Sequence, residues 1–338
     1  MTPREQLFAA LNGEVLDRPP VWLLFPYHAT DYYVDVRHHP RYRSIHAQSL
    51  GKAIILNRRN FSAPIFVADP SLPKRLESDE DLEFAAFCEV EVDPNRIVAA
   101  LDRQLPQYQR EKAEFPEHLG AMMLDLGEPI GWLYHHANLE QFAVWSLTHD
   151  AVVQDLLERF MQRYREIYRY CLERELADVY FMVGSELAAP PMVSRDTFRR
   201  WIVPYAKELI GLVHSYGKKV IQHFHGQVRD LLPDFVEMGA DALHTIEAPP
   251  VGNCTFTEAF ASVGNRLTLI GNIQYDEFRA RSPEQMGEAV RDVVRECEGK
   301  RFILSPTAGP FDPNPSERLI ANYHAFLSAA QTIGKRSK

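Results

Sequence analysis

The sequence predicts an α/β protein built around a parallel sheet, and three observations carry that reading. Eight short β-rich runs alternate with long helical patterns, most of the runs are nearly continuous in apolar residues, and the intervening segments repeat their apolar positions at three- and four-residue steps. The runs are Val21–Phe25, Ala53–Asn57, Ala121–Leu126, Val179–Val183, Lys219–Phe224, Ala242–Ile246, Leu267–Asn272 and Arg301–Ser305. A strand that is apolar throughout is covered on both faces, as happens in a parallel sheet flanked by helices.

The helices follow in order. Asp150 reads as the N-cap of a long helix whose Val153, Leu156, Leu157, Phe160, Tyr164, Ile167, Tyr168 and Cys171 form one stripe. Ser194 opens the next, with Phe198, Trp201, Ile202, Tyr205, Leu209 and Leu212 turned inward. Ser282-Pro283-Glu284 supplies a cap followed by Pro at the first helical position, and Met286, Val290, Val293 and Val294 then point to the core. Pro315-Ser316-Glu317 starts the last helix, which buries Leu319, Ile320, Tyr323, Phe326 and Leu327.

Residues 58–118 break the rhythm. Phe61–Ala68 and Phe84–Val92 read as a strand pair joined by the polar stretch Asp69–Asp81, and Pro94 to Pro116 reads as helix interrupted by proline. The segment is expected to be an insertion between the second and third strands, so that residues 1–338 form a single domain.

Composition narrows the function classes. With 46% hydrophobic and 25% charged residues the 338-residue chain is an ordinary globular protein. Its 37 basic against 46 acidic residues give a net charge of −9, which opposes attraction to nucleic acid or anionic membranes. The densest basic runs, Arg58-Arg59 and Lys335-Arg336 with Lys338, are too short to reverse that. Four cysteines, Cys88, Cys171, Cys254 and Cys297, lie scattered without paired spacing, which disfavours a disulfide framework and fits a reducing cytoplasm. No stretch has the pattern of a secretory leader or a membrane span. GxGxxG, GxxxxGK[ST], GxSxG and HExxH motifs are all missing, so nucleotide cradles, nucleophile elbows and helical zinc-protease sites have no support.

The sharpest local feature is Gln222-His223-Phe224-His225-Gly226 at the end of an apolar strand. Residues two apart in a strand project to one face, so both imidazoles point the same way where a barrel would build its active site. Two such imidazoles are half of a zinc-type site, or two histidines serving the barrel mouth by hydrogen bonding. Glu186, His244, Glu247 and Asn272 fall at the corresponding ends of neighbouring runs, where each has a plainer use as a helix cap or core residue. A second set comprises Tyr27 and His28 after the first run and Arg58 and Arg59 after the second. Adjacent arginines there suit a substrate carboxylate or phosphate, or simply surface charge. Tyr134-His135-His136 is placed in the loop after the third run, as pocket lining or rim.

The order of several short motifs resembles the uroporphyrinogen decarboxylase family. Arg4-Glu5, Leu11-Asn12-Gly13-Glu14 and Asp17-Arg18-Pro19-Pro20-Val21-Trp22 match its opening. Ala177-Asp178, Gly184-Ser185, Pro191 and Phe198 to Pro204-Tyr205 match its central block, and His223-x-His225-Gly226, Gly239-Ala240-Asp241, Gly271-Asn272-Ile273 and Ser282-Pro283-Glu284 its last. The resemblance implies a (β/α)8 TIM barrel, in agreement with the eight runs. It also implies one of two chemistries: cofactor-free decarboxylation, or zinc-dependent methyl transfer involving a corrinoid or a thiol.

The decarboxylase branch carries an arginine-rich stretch after the first strand, where this chain reads Leu23-Leu24-Phe25-Pro26-Tyr27-His28-Ala29. The aspartate of that branch near the end of the second strand is likewise missing from Ile54-Ile55-Leu56-Asn57-Arg58-Arg59. The methyltransferase branch has His-x-Cys-Gly and a later Cys, where this chain has His225 and Ser305-Pro306-Thr307-Ala308-Gly309. The resemblance therefore implies a catalytic Zn2+ held by Glu186, His223 and His225, with one position open. Tyr27, His28, Arg58, Arg59, Tyr134, His244, Glu247 and Asn272 would bind a small substrate such as an ether, and a separate corrinoid protein would accept the methyl group. The alternative is a carboxy-lyase acting on a smaller carboxylate held by Arg58 or Arg59. A homodimer is left open by the sequence.

Overall fold

The computed structural model describes residues 1–30, 32–61, 75–87 and 93–332. Seven parallel strands form one sheet in chain order: β1 (Ile55–Asn60), β2 (Gly120–Asp125), β3 (Val179–Met182), β4 (Lys219–His223), β5 (Ala242–His244), β6 (Thr268–Ile273) and β7 (Phe302–Pro306). The first expected strand, Val21–Phe25, is reduced to two bridging residues. Trp22 N donates to Leu304 O at 2.9 Å and Ile54 N donates to Val21 O at 2.7 Å. The two edges of the curled sheet thus meet through this segment, consistent with a TIM-type barrel. The ladder stops there because Leu24 leaves the extended region at φ 62°.

Period two sorts the strand side chains into two cores. Ile54, Leu56, Ala121, Met123, Val179, Phe181, Ile221, Ala242, Ile270 and Ile303 share an inner cluster with Trp22 and Leu24. Their neighbours, among them Ile55, Met122, Leu124, Tyr180, Val220, Leu243, Leu269 and Leu304, pack outward with the helices. The helix Pro3–Leu11 adds Leu7, Ala10 and Leu11 to the inner cluster. Its Arg4 reaches Gly120 O at 2.8 Å and Asp178 at 2.7 Å, and Thr268 donates to Ala10 O at 2.7 Å. This helix stoppers the end where the strands begin and leaves chemistry to the opposite, carboxyl end.

The long helix Asp150–Glu173 buries the expected stripe, but His149 rather than Asp150 occupies its cap. The Asp150 carboxylate is used elsewhere, accepting from Trp201 Nε1 at 2.8 Å and Arg200 Nε at 3.0 Å. Ser194 accepts from Thr197 N at 3.0 Å, and its helix ends at Trp201 before resuming as Val203–Ser215. Ser282 and Gln285 form a reciprocal capping box, and Ser316 accepts from Leu319 N at 3.1 Å.

Between β1 and β2 the described residues hold the helices Asp79–Phe87, Pro94–Asp102 and Leu105–Glu114. Phe84–Phe87, expected in a strand, are helical instead. Asp79, Glu80 and Asp81 crowd the first turn, where the helix dipole favours them, and Leu82 and Ala85 are fully buried. The remainder of that expected strand pair, residues 62–68 and 88–92, lies outside the described residues, as do Lys335, Arg336 and Lys338. No described helix is long and apolar enough to cross a membrane.

Candidate active site

Extending the inner-facing alternation past the apolar layer brings Arg58, Asp125, His223, His244, Asn272 and Ser305 to the carboxyl end of the sheet. Register places His223 of β4 directly beside His244 of β5. Their rings lie edge to edge and nearly coplanar, 4.8 Å between centroids and 20° between planes, with the two Nδ1 atoms 2.7 Å apart. His244 is fully buried, with Nε2 3.0 Å from Pro306 O and its ring 5.3 Å from Trp22. Burial pushes His244 down to about 3 and His223 well below the ordinary histidine value, with nearby rings adding to the effect on His223. Both are neutral at pH 7.

His225 follows on the same face, its ring centroid 4.6 Å from that of His223. Its Nδ1 lies 3.2 Å from Glu247 Oε1, and Glu247 Oε2 accepts from Gly226 N at 2.7 Å. Burial alone would lower the His225 pKa, but the Glu247 hydrogen bond and charge, with Glu186 behind them, leave it raised. Glu247 is correspondingly held below its usual range, since these partners outweigh its own desolvation. Glu186 opens the short turn Glu186–Ala188 after β3, with Oε1 4.0 Å from His223 Nε2, and burial raises its pKa.

The wall built by β1 and β2 is different. Arg58 and Arg59 are part of β1 rather than following it, and successive residues point to opposite faces. Arg58 turns inward, pairs with Asp125, donates to Tyr33 OH at 3.2 Å and lies 5.0 Å from the Phe181 ring centre. Arg59 turns outward to Glu111 and donates to Ala29 O at 2.8 Å. Asn57 accepts from Tyr27 N at 3.0 Å and His28 N at 2.9 Å, so Tyr27 and His28 belong to a tied-down turn; His28 also meets Glu114 at 3.3 Å. A cleft of about 380 Å³ beside Arg58 and Arg59 is bounded by Tyr32, Tyr33, Gln107 and Glu111, and neither His223, His225 nor Glu186 lines it.

Tyr134-His135-His136, expected in a loop, occupies the helix Pro129–His136. Proline at its first position starts this helix immediately after Glu128. His136 stacks on Trp132 at 4.4 Å and takes no part in the mouth's cluster, whereas burial and the charges of Glu186 and Glu128 raise the Tyr134 hydroxyl to about 12. Asn272 reaches the inner face of β6; no hydrogen bond joins its side chain to the described residues.

Sequence reasoning missed Asp125 and Glu128. Glu128 is 3% exposed, and burial, followed by the charges of Glu186 and Asp125, raises its carboxyl to about 8. An acidic residue directly ahead of the apolar Pro129-Ile130 and one residue past the glycine turn at Gly127 was the available signal. Its proximity to Glu186, far along the chain, was not visible.

Glu186, His223 and His225 therefore approach one another, and His225 carries the carboxylate brace that metal-bound histidines commonly have. Among the described residues, however, no three such donors already stand at metal-centre spacing. The 4.0 Å between Glu186 and His223 exceeds the about 3.4 Å between two ligands of one tetrahedral zinc. Two imidazoles and a carboxylate suit zinc or another first-row divalent ion.

An α/β sheet with titratable groups gathered at its carboxyl end defines a barrel-type enzyme. The chain belongs to the uroporphyrinogen decarboxylase family: the family model described as "Uroporphyrinogen decarboxylase (URO-D)" matches residues 132–332, more than half its length. No curated protein matches it by sequence. Among solved structures it is similar to a methyltransferase from Methanosarcina mazei, with TM-score 0.65, 17% identity and 98% of each chain covered. At that identity the likeness speaks for the fold alone. A weaker likeness, TM-score 0.46 and 10% identity over 68% of this chain and 66% of the other, is to a B12-independent methionine synthase from Shewanella sp. W3-18-1 in complex with selenomethionine.

Proposed function

We propose that this enzyme transfers a methyl group from a small neutral substrate, such as an ether, to a corrinoid carried by a separate protein. The observation that carries the reading is the charge state of the mouth. Arg58 is engaged by Asp125, Arg59 by Glu111 and His225 by Glu247, while Glu186 adds a further carboxyl beside two neutral histidines. Such a mouth has its cations already engaged against a polycarboxylate and accepts an uncharged ligand or a divalent cation. The methyltransferase among the similar structures, though it speaks only for the fold, is in keeping with this reading.

In this reading Glu186, His223 and His225 hold a divalent metal. When bound, the metal would polarise the ether oxygen as a Lewis acid. The protein's own residues orient and dry the site. Glu247 fixes the His225 ring through Nδ1, and Phe181, 5.2 Å from His223, walls off one side. Tyr134 and Glu128 both retain their protons at pH 7 and limit the charge facing the substrate.

A second reading, a carboxy-lyase, is favoured by Glu128 alone, because a protonated carboxyl with a pKa of about 8 can return a proton to a carbanion. Metal analysis separates the two. Full-length untagged protein supplied with zinc should retain about one equivalent, and His223→Ala should lose it. Retention below about a tenth of an equivalent in the parent overturns the methyltransferase reading, and equal metal in both proteins removes His223 from the site. Methyl transfer is then followed by mass spectrometry of the demethylated product, with a methyl ether and a reduced corrinoid supplied together.

A further inference from the structure

We infer that His244 is a positioning residue that fixes the tautomer of His223, leaving His223 Nε2 as a bare lone pair aimed at the mouth. The inference deepens the functional reading above, on which it rests only where it treats His223 as a ligand.

The argument runs along three hydrogen-bonding groups. Pro306 offers only a carbonyl, which can accept and never donate, so His244 Nε2, 3.0 Å away, carries a hydrogen. A neutral imidazole holds one ring proton, so His244 Nδ1 is then an acceptor. It faces His223 Nδ1 at 2.7 Å, a distance that requires one proton between the two nitrogens. That proton belongs to His223 Nδ1. By the same count His223 Nε2 has none, and this is the nitrogen 4.0 Å from Glu186 Oε1.

The opposite arrangement would place a doubly protonated His244 in a fully buried position. That ring bonds a backbone carbonyl and the His223 imidazole and packs on Trp22; among the described residues no carboxylate hydrogen-bonds to it, and beside the pull of Glu247 the charges of His225 and Arg58 oppose a second proton. A buried charge so placed is costly, which selects the neutral chain. Register makes the relay a property of the sheet, since β4 and β5 pair these two residues directly and period two turns both inward. The product is a nitrogen lone pair whose direction is set before any ligand arrives. It suits a Lewis-acidic cation or a hydroxyl donor, and it offers nothing to an acceptor-only group.

The test is 15N–1H NMR of histidine-labelled full-length protein. The parent should show the His223 proton on Nδ1 and an unprotonated Nε2. A proton on Nε2, or on both nitrogens, overturns the inference. In His244→Phe the ring volume stays but the acceptor is gone, so the His223 proton should move to Nε2. In His244→Asn the side-chain oxygen can still accept from His223, and Nδ1–H should be retained. Zinc alone, titrated into each protein, should bind about 10- to 100-fold more weakly to His244→Phe and within about threefold of the parent to His244→Asn. An unchanged His223 tautomer in His244→Phe overturns the positioning role. A tautomer that shifts as expected in a protein that binds no zinc upholds the relay and overturns the metal reading instead.

Discussion

The two walls of the barrel mouth handle charge in opposite ways. On the wall of β4 and β5, His223 and His244 lie edge to edge and neutral, and their hydrogen bonds run along the sheet and end on a backbone carbonyl. On the wall of β1 and β2, Arg58 is charged and is cancelled at once by Asp125, while Glu128 keeps its proton. The strand histidines of one wall present lone pairs, with the His225–Glu247 pair beyond them, and the strands of the other wall present a finished ion pair. The family match, which begins at residue 132, includes the first wall and starts after the second.

The largest effect that would break this contrast is at Arg58. If the arginine is structural, Arg58→Met leaves Asp125 buried without its partner and costs about 3–5 kcal/mol of stability, read by chemical denaturation. Replacing both residues by apolar ones should recover most of that loss. An Arg58→Met protein of unchanged stability that no longer binds small carboxylates would mean that the arginine serves substrate, and the contrast between the walls would fail.

Glu128 gives the next largest effect and ties it to pH. Its folded-state pKa of about 8 stands above the ordinary 4.5, so between those values the folded chain keeps a proton that the unfolded chain has released. Stability contributed by this group is therefore full at low pH and is lost as pH rises through that window. Glu128→Gln removes the loss, and its stability relative to the parent should be about 3 kcal/mol greater at pH 7 than at pH 4. A difference that stays flat across this range would show that Glu128 is ionised in the native protein.

These two positions also show what the sequence could reveal. His223-x-His225 was legible because its geometry is local: two residues on one strand, with a period of two, ending in glycine. The alternation of strands and amphipathic helices was legible for the same reason, down to the caps at Ser194 and Ser282. Arg58 and Arg59 looked equivalent because adjacency hides the face each takes; only β1, extending through Asn60, sends one to Asp125 and the other to Glu111. Glu128 and Asp125 escaped notice because what makes them unusual is desolvation by distant parts of the chain. Phe84–Phe87, expected in a strand, belongs instead to the helix beginning at Asp79, whose acidic first turn suits the helix dipole.

The smallest effect sharpens the histidine wall itself. Glu247 accepts from Gly226 N and meets His225 Nδ1, so Glu247→Gln should keep one of these bonds and weaken the other, at a cost of about 1 kcal/mol. Its clearer signature is in titration. The His225 pKa stands above the ordinary histidine value because Glu247 overcomes burial, so without the carboxylate it should fall. In the parent, the stability gained from charged His225 is full below the ordinary histidine pKa and disappears as pH rises through the raised folded value; in Glu247→Gln that gain should be lost and, as burial takes over, the pH dependence should reverse. NMR titration of His225 in both proteins decides it. An unchanged pKa would mean that Glu186, rather than Glu247, sets the charge of His225, and the brace on this wall would have to be assigned to β3 instead.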